Sequence, residues 1–255
     1  MSKLFRFLLP GLLLSGCVFW SAPAAIPPAP PSPTFVPTAT ESPTATIVWF
    51  PPTETPTPFP SPVVTPTIDL RPTTGAILFQ DEFPSAEFWQ TSGTGRLSVA
   101  SNRLTLALTE PRAYLSGVRL DLILADFYLE IEIETSLCRD FDQYGVLLRA
   151  ASPSDFYRFG LSCNGQFRLD RVRGGTATSP VVWTFSSAVP PAAPAAFRLG
   201  VAAIGGRMLF FINDQFQLEA AAPLIPTGTV GVFARAAGES PVTVHFSNLI
   251  VWEIE

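Results

Sequence analysis

The chain holds a single lysine, Lys3, a single histidine, His245, and only three cysteines among its 255 residues. Each scarcity removes a class of function. Positive charge beyond Lys3 is arginine alone, the formal net charge is -5, and the concentrated basic excess of a nucleic-acid surface is missing. No nucleic-acid partner is expected. Cysteine and histidine are too few and too scattered for a zinc site, so no zinc centre is expected. His245, in Val244-His245-Phe246, has no neighbouring Ser or Cys with which to form a triad and reads as a polar residue on a strand surface. The glycine pairs Gly174-Gly175 and Gly205-Gly206 read as turns, not as phosphate-binding loops. No window shows helical spacing of apolar residues, and the hydrophobic pattern alternates instead.

What is present divides into three segments. Met1-Arg6 supplies a short positive end, and Phe7-Leu14 an apolar run too short to span a bilayer as a mature helix. Residues 1-16 therefore read as an export signal. The run ends Leu14-Ser15-Gly16-Cys17, which resembles the lipobox of bacterial lipoproteins. That resemblance implies lipidation at Cys17, a mature chain beginning there, and an extracytoplasmic protein lipid-anchored to the cell membrane. An ordinary secretory signal cleaved near Ala22 to Ala25 is the alternative. Residues 17-75 form a linker rich in proline and threonine, as in Thr53-Glu54-Thr55-Pro56-Thr57-Pro58. Proline fixes φ and removes donors, so this linker is expected to be disordered and extended, a stalk reaching on the order of 150 Å.

Residues 76-255 are one domain by size and all-β by pattern. In Phe127-Glu134 the apolar Phe127, Leu129, Ile131 and Ile133 share one face, and Tyr128, Glu130, Glu132 and Glu134 share the other. Alternating runs follow at Tyr144-Ala150, Phe156-Cys163 and Gln166-Val172, and the four together are expected to form the middle of one antiparallel sheet. Cross-strand ion pairs from the glutamate row to Arg149, Arg158 and Arg168 are then expected. Further strands are expected at Ala76-Phe83, Arg96-Ala100, Arg103-Thr109, Phe197-Ala203, Arg207-Ile212, Gln215-Glu219, Thr229-Arg235 and Val242-Ile254, with an edge at Val181-Trp183. A dozen or so short strands is too many for one open sheet and fits two packed sheets. If Tyr144-Ala150 and Phe156-Cys163 form a hairpin about Ser152-Pro153-Ser154, Cys138 and Cys163 fall at one edge. They could then form a disulfide, or pack as two buried thiols.

The order of motifs resembles a known family. Asp81-Glu82-Phe83 with Trp89 nearby is followed by Tyr144-Arg149, Asp155-Phe159, Phe167-Val172 and Arg207-Asp214, and the chain closes on Gly228-Phe233 and Val244-Val251. The pattern is similar to the concanavalin A-like lectin/glucanase jelly roll, especially the bacterial branch related to 3-keto-disaccharide hydrolase-like domains. The resemblance implies a two-sheet antiparallel jelly-roll sandwich whose first and last strands pair, placing Ile77-Phe79 beside Leu249-Val251. It also implies a carbohydrate or a surface protein as the partner.

Glu130-Ile131-Glu132-Ile133-Glu134 is similar to the catalytic strand of family 16 glycoside hydrolases, with Glu132 in place of that family's aspartate. The likeness implies Glu130 as nucleophile and Glu134 as acid/base, and retaining hydrolysis would need their carboxyls about 5 to 5.5 Å apart. Plain strand alternation produces the same string. Under the binding reading Tyr128, Glu132, Arg149, Arg158 and Arg168 are the candidate ligand residues, with Tyr128 as the sugar platform. Asp140 with Asp142, or Asp81 with Glu82, are candidate oxygen donors for Ca²⁺, and no other cofactor is expected. The expected function is a non-catalytic, surface-borne glycan- or partner-binding sandwich, with a glycoside hydrolase and a structural envelope spacer as the alternatives.

Overall fold

A computed structural model describes residues 69-239 and 241-255. The export segment, Cys17 and all but the last few residues of the proline-rich linker lie outside them. Among the described residues the strands are β1 (Thr74–Asp81), β2 (Trp89–Gly93), β3 (Arg96–Ala100), β4 (Arg103–Leu108), β5 (Tyr114–Arg119), β6 (Phe127–Leu137), β7 (Gln143–Ser152) and β8 (Asp155–Ser162). They continue as β9 (Gln166–Arg173), β10 (Thr176–Phe185), β11 (Ala195–Ile204), β12 (Arg207–Ile212), β13 (Gln215–Ala221), β14 (Thr229–Arg235) and β15 (Val242–Ile254).

The strands form two antiparallel sheets. One has eight strands in the order β13-β12-β11-β6-β15-β4-β3, with β1 added against β15; the other has seven in the order β10-β9-β8-β7-β14-β5-β2. β15 is long enough to pair with β4 through Val242-Phe246 and with β1 through Leu249-Ile254, so Phe79 lies opposite Val251 as expected. Two-residue links close the hairpins at Ser101-Asn102 and Asn213-Asp214, where all four residues take positive φ. Asn and Asp tolerate that conformation, and it matches the twist of the flanking strands.

One expectation is corrected. The runs from Phe127 to Arg173 do not form the middle of one sheet, because β6 belongs to the eight-stranded sheet and β7, β8 and β9 to the other. The crossing is made at Cys138-Asp142. There the Asp142 carboxylate accepts backbone N–H groups from Arg139 and Ala237, which holds the corner where the chain changes sheet. Alternation specifies which side of a strand is buried, but both sheets of a sandwich bury one side, so it does not say which sheet a strand joins.

The core lies between the sheets. Leu129, Ile131 and Ile133 of β6, Val244, Phe246 and Val251 of β15, and Leu199 and Val201 of β11 meet Val146 and Leu148 of β7, Phe159 and Leu161 of β8, and Val232 of β14. Phe159 and Phe210 of β12 stack across the interface with ring centres 4.1 Å apart. Fully burying aliphatic or aromatic side chains of this size contributes about 1.5 to 3 kcal/mol each. Cys138 and Cys163 are joined in a disulfide, with Cα atoms 5.9 Å apart and a sequence separation of 25. It ties the β6-β7 corner to the β8-β9 turn and stabilises by about 3 kcal/mol in the chain-entropy account.

Two polar clusters brace the sandwich. Asp81 accepts from the Phe83 backbone N–H (2.6 Å), the Trp89 indole (3.0 Å) and the Arg119 guanidinium (2.6 Å). Arg119 lies 4.9 Å from the ring centres of both Phe79 and Phe88, so the opening Asp-Glu-Phe and its tryptophan act as a structural latch. Arg149 takes positive φ at an irregularity in the β7-β8 register, and its side chain is fully buried. It donates to the backbone carbonyls of Ala125 and Gly205 and to the Asp126 carboxylate, binding separate loops together.

Candidate functional site

Each sheet presents one face away from the core, and the sequence-derived candidates divide between them. Tyr128, Glu130, Glu132 and Glu134 stand on the outer face of the eight-stranded sheet. There each acid has a partner. Glu134 pairs with Arg103 at 2.8 Å, Glu132 accepts from the Ser247 hydroxyl at 3.3 Å, and Glu130 accepts from the Tyr128 hydroxyl at 2.8 Å. Arg198 reaches to 3.8 Å from Glu130 and also binds Asp214, which in turn pairs with Arg71. His245 lies between the hydroxyls of Thr105 and Ser136, 2.8 Å from each. Burial lowers the pKa of its ring below the ordinary histidine value.

Glu130 and Glu134 are four residues apart on a strand whose pairing with β11 is regular, which separates their backbones by about 13 Å. For hydrolysis the side chains would have to converge, and each is held by its own partner instead. Tyr128 does not serve as an open platform. It is 4 % exposed, and its ring packs against Phe211 and Trp252, with centres 6.3 and 5.8 Å away. Burial, followed by the hydrogen bond to Glu130, pushes its hydroxyl well above the usual tyrosine range, so it remains a donor. Arg149 is likewise corrected: buried and bonded to backbone carbonyls, it braces loops and faces no ligand space. The expected ion pairs between the glutamate row and Arg149, Arg158 and Arg168 do not form, because those arginines belong to the other sheet.

Arg158 and Arg168 stand on the outer face of the seven-stranded sheet, where the structure holds a cleft of ≈ 930 Å³. Its floor is set by small and apolar residues of three neighbouring strands: Ser116 and Val118 of β5, Thr229 of β14 with Gly228 just before it, and Leu147 of β7. Leu120 and Ile123, both strongly exposed, form one rim, while Phe156 and Val172 stand on the opposite side. Tyr114 enters from β5 and stacks on Phe233 of β14 at 6.0 Å. Phe233 finds room because its neighbours on β7 and β8 are glycines. A Cβ on Gly145 would come 3.3 Å from the Phe233 ring and 2.1 Å from the Phe159 carbonyl oxygen, and one on Gly160 would come 3.4 Å from that ring.

The arginines extend this floor. Arg158 lies 5.6 Å from the Phe233 ring centre and Arg168 4.7 Å from that of Trp183. Both are held by the buried Asp170 carboxylate, at 2.6 and 2.8 Å, which also accepts from the Ser179 hydroxyl. Such a surface can stack an apolar ring face on Tyr114 and donate hydrogen bonds from guanidinium and hydroxyl groups around it. Its volume falls in the range of small-molecule and oligosaccharide sites.

Tyr114, Arg112, Arg235 and Phe233 were not singled out by the sequence pattern. Tyr114-Leu115-Ser116-Gly117-Val118-Arg119 breaks the apolar alternation with small residues, and one of them, Ser116, lies in the cleft floor. Among the described residues no group of three or more His, Cys, Asp or Glu side chains could hold a metal ion. Of the four candidate calcium donors, Asp81 and Asp142 are committed to internal hydrogen bonds.

No protein-family model matches the chain. A comparison with curated proteins found no match either. Solved structures do match. A protein of unknown function with a galectin-like fold from Bacillus subtilis superposes with a TM-score of 0.55 at 14 % identity, over 71 % of this chain and 98 % of that one. The carbohydrate binding module CBM66 from Bacillus subtilis gives a TM-score of 0.51 at 13 % identity, over 66 % and 98 %. A LamA variant from Z. galactanivorans in complex with laminaritriose and laminaritetraose gives 0.50 at 11 % identity, over 71 % and 100 %. At these identities the likeness establishes the fold, that of the concanavalin A-like lectins and glucanases.

Proposed function

We propose that the chain is a non-catalytic carbohydrate-binding sandwich, held outside the cytoplasm by a lipid at Cys17 and carried on the proline-rich stalk. The observation that carries the binding reading is the cleft on the seven-stranded sheet, with the half-buried Tyr114 ring and guanidinium donors around a floor of small and apolar residues. A carbohydrate binding module and a LamA variant solved with laminari-oligosaccharides share the fold, which supports a glycan as the ligand class. By its motifs we place the chain near the 3-keto-disaccharide hydrolase-like branch of that fold. Of the expected ligand residues, Arg158 lines this cleft and Arg168 stands outside its lining on the same sheet. The anchor and stalk rest on residues 1-16, Cys17 and the composition that follows.

Binding is favoured over hydrolysis because Glu130, Glu132 and Glu134 are each committed to a partner on the opposite face of the sandwich. The test is affinity electrophoresis of the full chain through gels containing a panel of polysaccharides, with and without calcium. Retardation that disappears in Tyr114→Ala supports the cleft as the site. Free passage through every gel would overturn glycan binding in favour of a protein partner or a spacer. Release of reducing sugar that stops in Glu134→Gln would establish the hydrolase alternative.

A further inference from the structure

Four arginines line the cleft, Arg112, Arg119, Arg158 and Arg235, and no aspartate or glutamate does, in a chain whose net charge is -5. Two of the four are not free. Arg119 is bound by Asp81 and Asp121, and Arg158 shares Asp170 with Arg168, which still leaves one positive charge in excess within that second cluster. Arg112 and Arg235, both exposed, pair with no carboxylate among the described residues. They stand at one end of the cleft beside Tyr114, where Arg235 lies opposite Tyr114 in the sheet ladder. An arginine fork matches a carboxylate or sulfate with two parallel hydrogen bonds, and a neighbouring ring can stack on the sugar that carries it.

We infer that the cleft takes an anionic glycan, one bearing uronate carboxylates or sulfate esters, with Arg112 and Arg235 gripping the acidic group while Tyr114 stacks on the ring. This rests on the reading of the cleft as a glycan site and adds the charge class of the ligand. The free guanidinium pair would otherwise be an arrangement of uncompensated like charges at a concave surface. An anionic residue is the partner that neutralises both.

The experiment compares gels containing alginate or polygalacturonate, dextran sulfate, neutral dextran or laminarin, and double-stranded DNA, run at low and high salt with the full chain. Alginate, polygalacturonate or dextran sulfate should retard the protein, and salt should weaken the effect because exposed charges are screened. Which of the two chemistries retards it more strongly distinguishes carboxylate from sulfate. The Arg112→Gln/Arg235→Gln double variant, altered only at exposed positions, should lose about tenfold or more in affinity, and Arg235→Lys should fall between because it keeps the charge but loses the fork. Retardation by neutral polymers alone would overturn the inference and leave glycan binding standing. Absence of retardation by any polysaccharide would overturn both. Equal retardation by DNA, or anionic binding unchanged in the double variant, would overturn the inference by showing an unspecific or different polyanion surface.

Discussion

The two outer faces of this sandwich are built from strands of the same alternating type and have opposite finishes. On the eight-stranded sheet long side chains stand side by side and satisfy one another: Glu134 with Arg103, Glu132 with Ser247, Glu130 with Tyr128, and Tyr128 beneath Phe211 and Trp252. On the seven-stranded sheet glycine and serine interrupt the rows, aromatic rings settle into the gaps, and arginines outnumber the acids that could neutralise them. Residue size and pairing decide which face can receive a ligand. A row of complementary long side chains fills its own surface, whereas a row broken by small residues leaves a volume.

The sharpest way to break this contrast is at Gly145. Its φ of +150 and the 2.1 Å approach of a Cβ to the Phe159 carbonyl oxygen leave no conformation for a branched side chain. Gly145→Val should destabilise the domain by about 3 to 4 kcal/mol, read as a lower urea midpoint. Asp170 comes next. Replacing it with Asn leaves two part-buried guanidinium groups without their shared carboxylate, and we expect a loss of about 2 kcal/mol in the same urea titration, discounted for their partial exposure. A change below about 0.5 kcal/mol would mean that the arginines on the cleft face are as self-sufficient as those opposite.

Glu134→Gln should cost less than about 1 kcal/mol, since the pair with Arg103 is largely exposed, and should leave polysaccharide retardation unchanged. A loss of retardation would move the site to the other face and end the contrast. The smallest effect is at His245. Burial lowers its folded pKa below 6.5, so the unfolded chain takes up the proton first. The stabilising contribution is present above pH 6.5 and is lost as pH falls toward the folded pKa. Stability of the natural chain should therefore decline on acidification by less than about 1 kcal/mol more than that of His245→Gln, measured by urea midpoints at pH 7.5 and pH 5.5.

The sequence pattern identifies most strands, because Leu104-Leu106-Leu108, Leu129-Ile131-Ile133 and Tyr157-Phe159-Leu161 each bury one side of a strand and show it as alternation. It also locates the hairpin links at Gly174-Gly175, between β9 and β10, and Gly205-Gly206, between β11 and β12, where positive φ at Gly174, Gly175 and Gly205 favours glycine. The cleft was not legible for a related reason. β5 supplies part of its floor, but Ser116 and Gly117 have no apolar side chains to reveal a period, and Tyr114 and Arg235 come together only through the β5-β14 ladder, across more than a hundred residues of chain. The glutamate string was conspicuous because its members are adjacent in sequence. Adjacency along one strand says nothing about what the neighbouring strands place beside it, and here they place partners.

β15, the last of the described strands, lies near the middle of the eight-stranded sheet, hydrogen-bonded to β6 along one side and to β4 and β1 along the other. Until that strand is in place, β1 and the β3-β4 hairpin have no partner in the sheet and β6 keeps one unpaired side. Vectorial synthesis therefore delivers the keystone last: a nascent chain that has not yet yielded residues 242 to 254 holds an incomplete eight-stranded sheet and an open core. The folding of this domain therefore waits until those residues are made, and the long-range pairings that then close it make it a slow folder relative to helical proteins of its length.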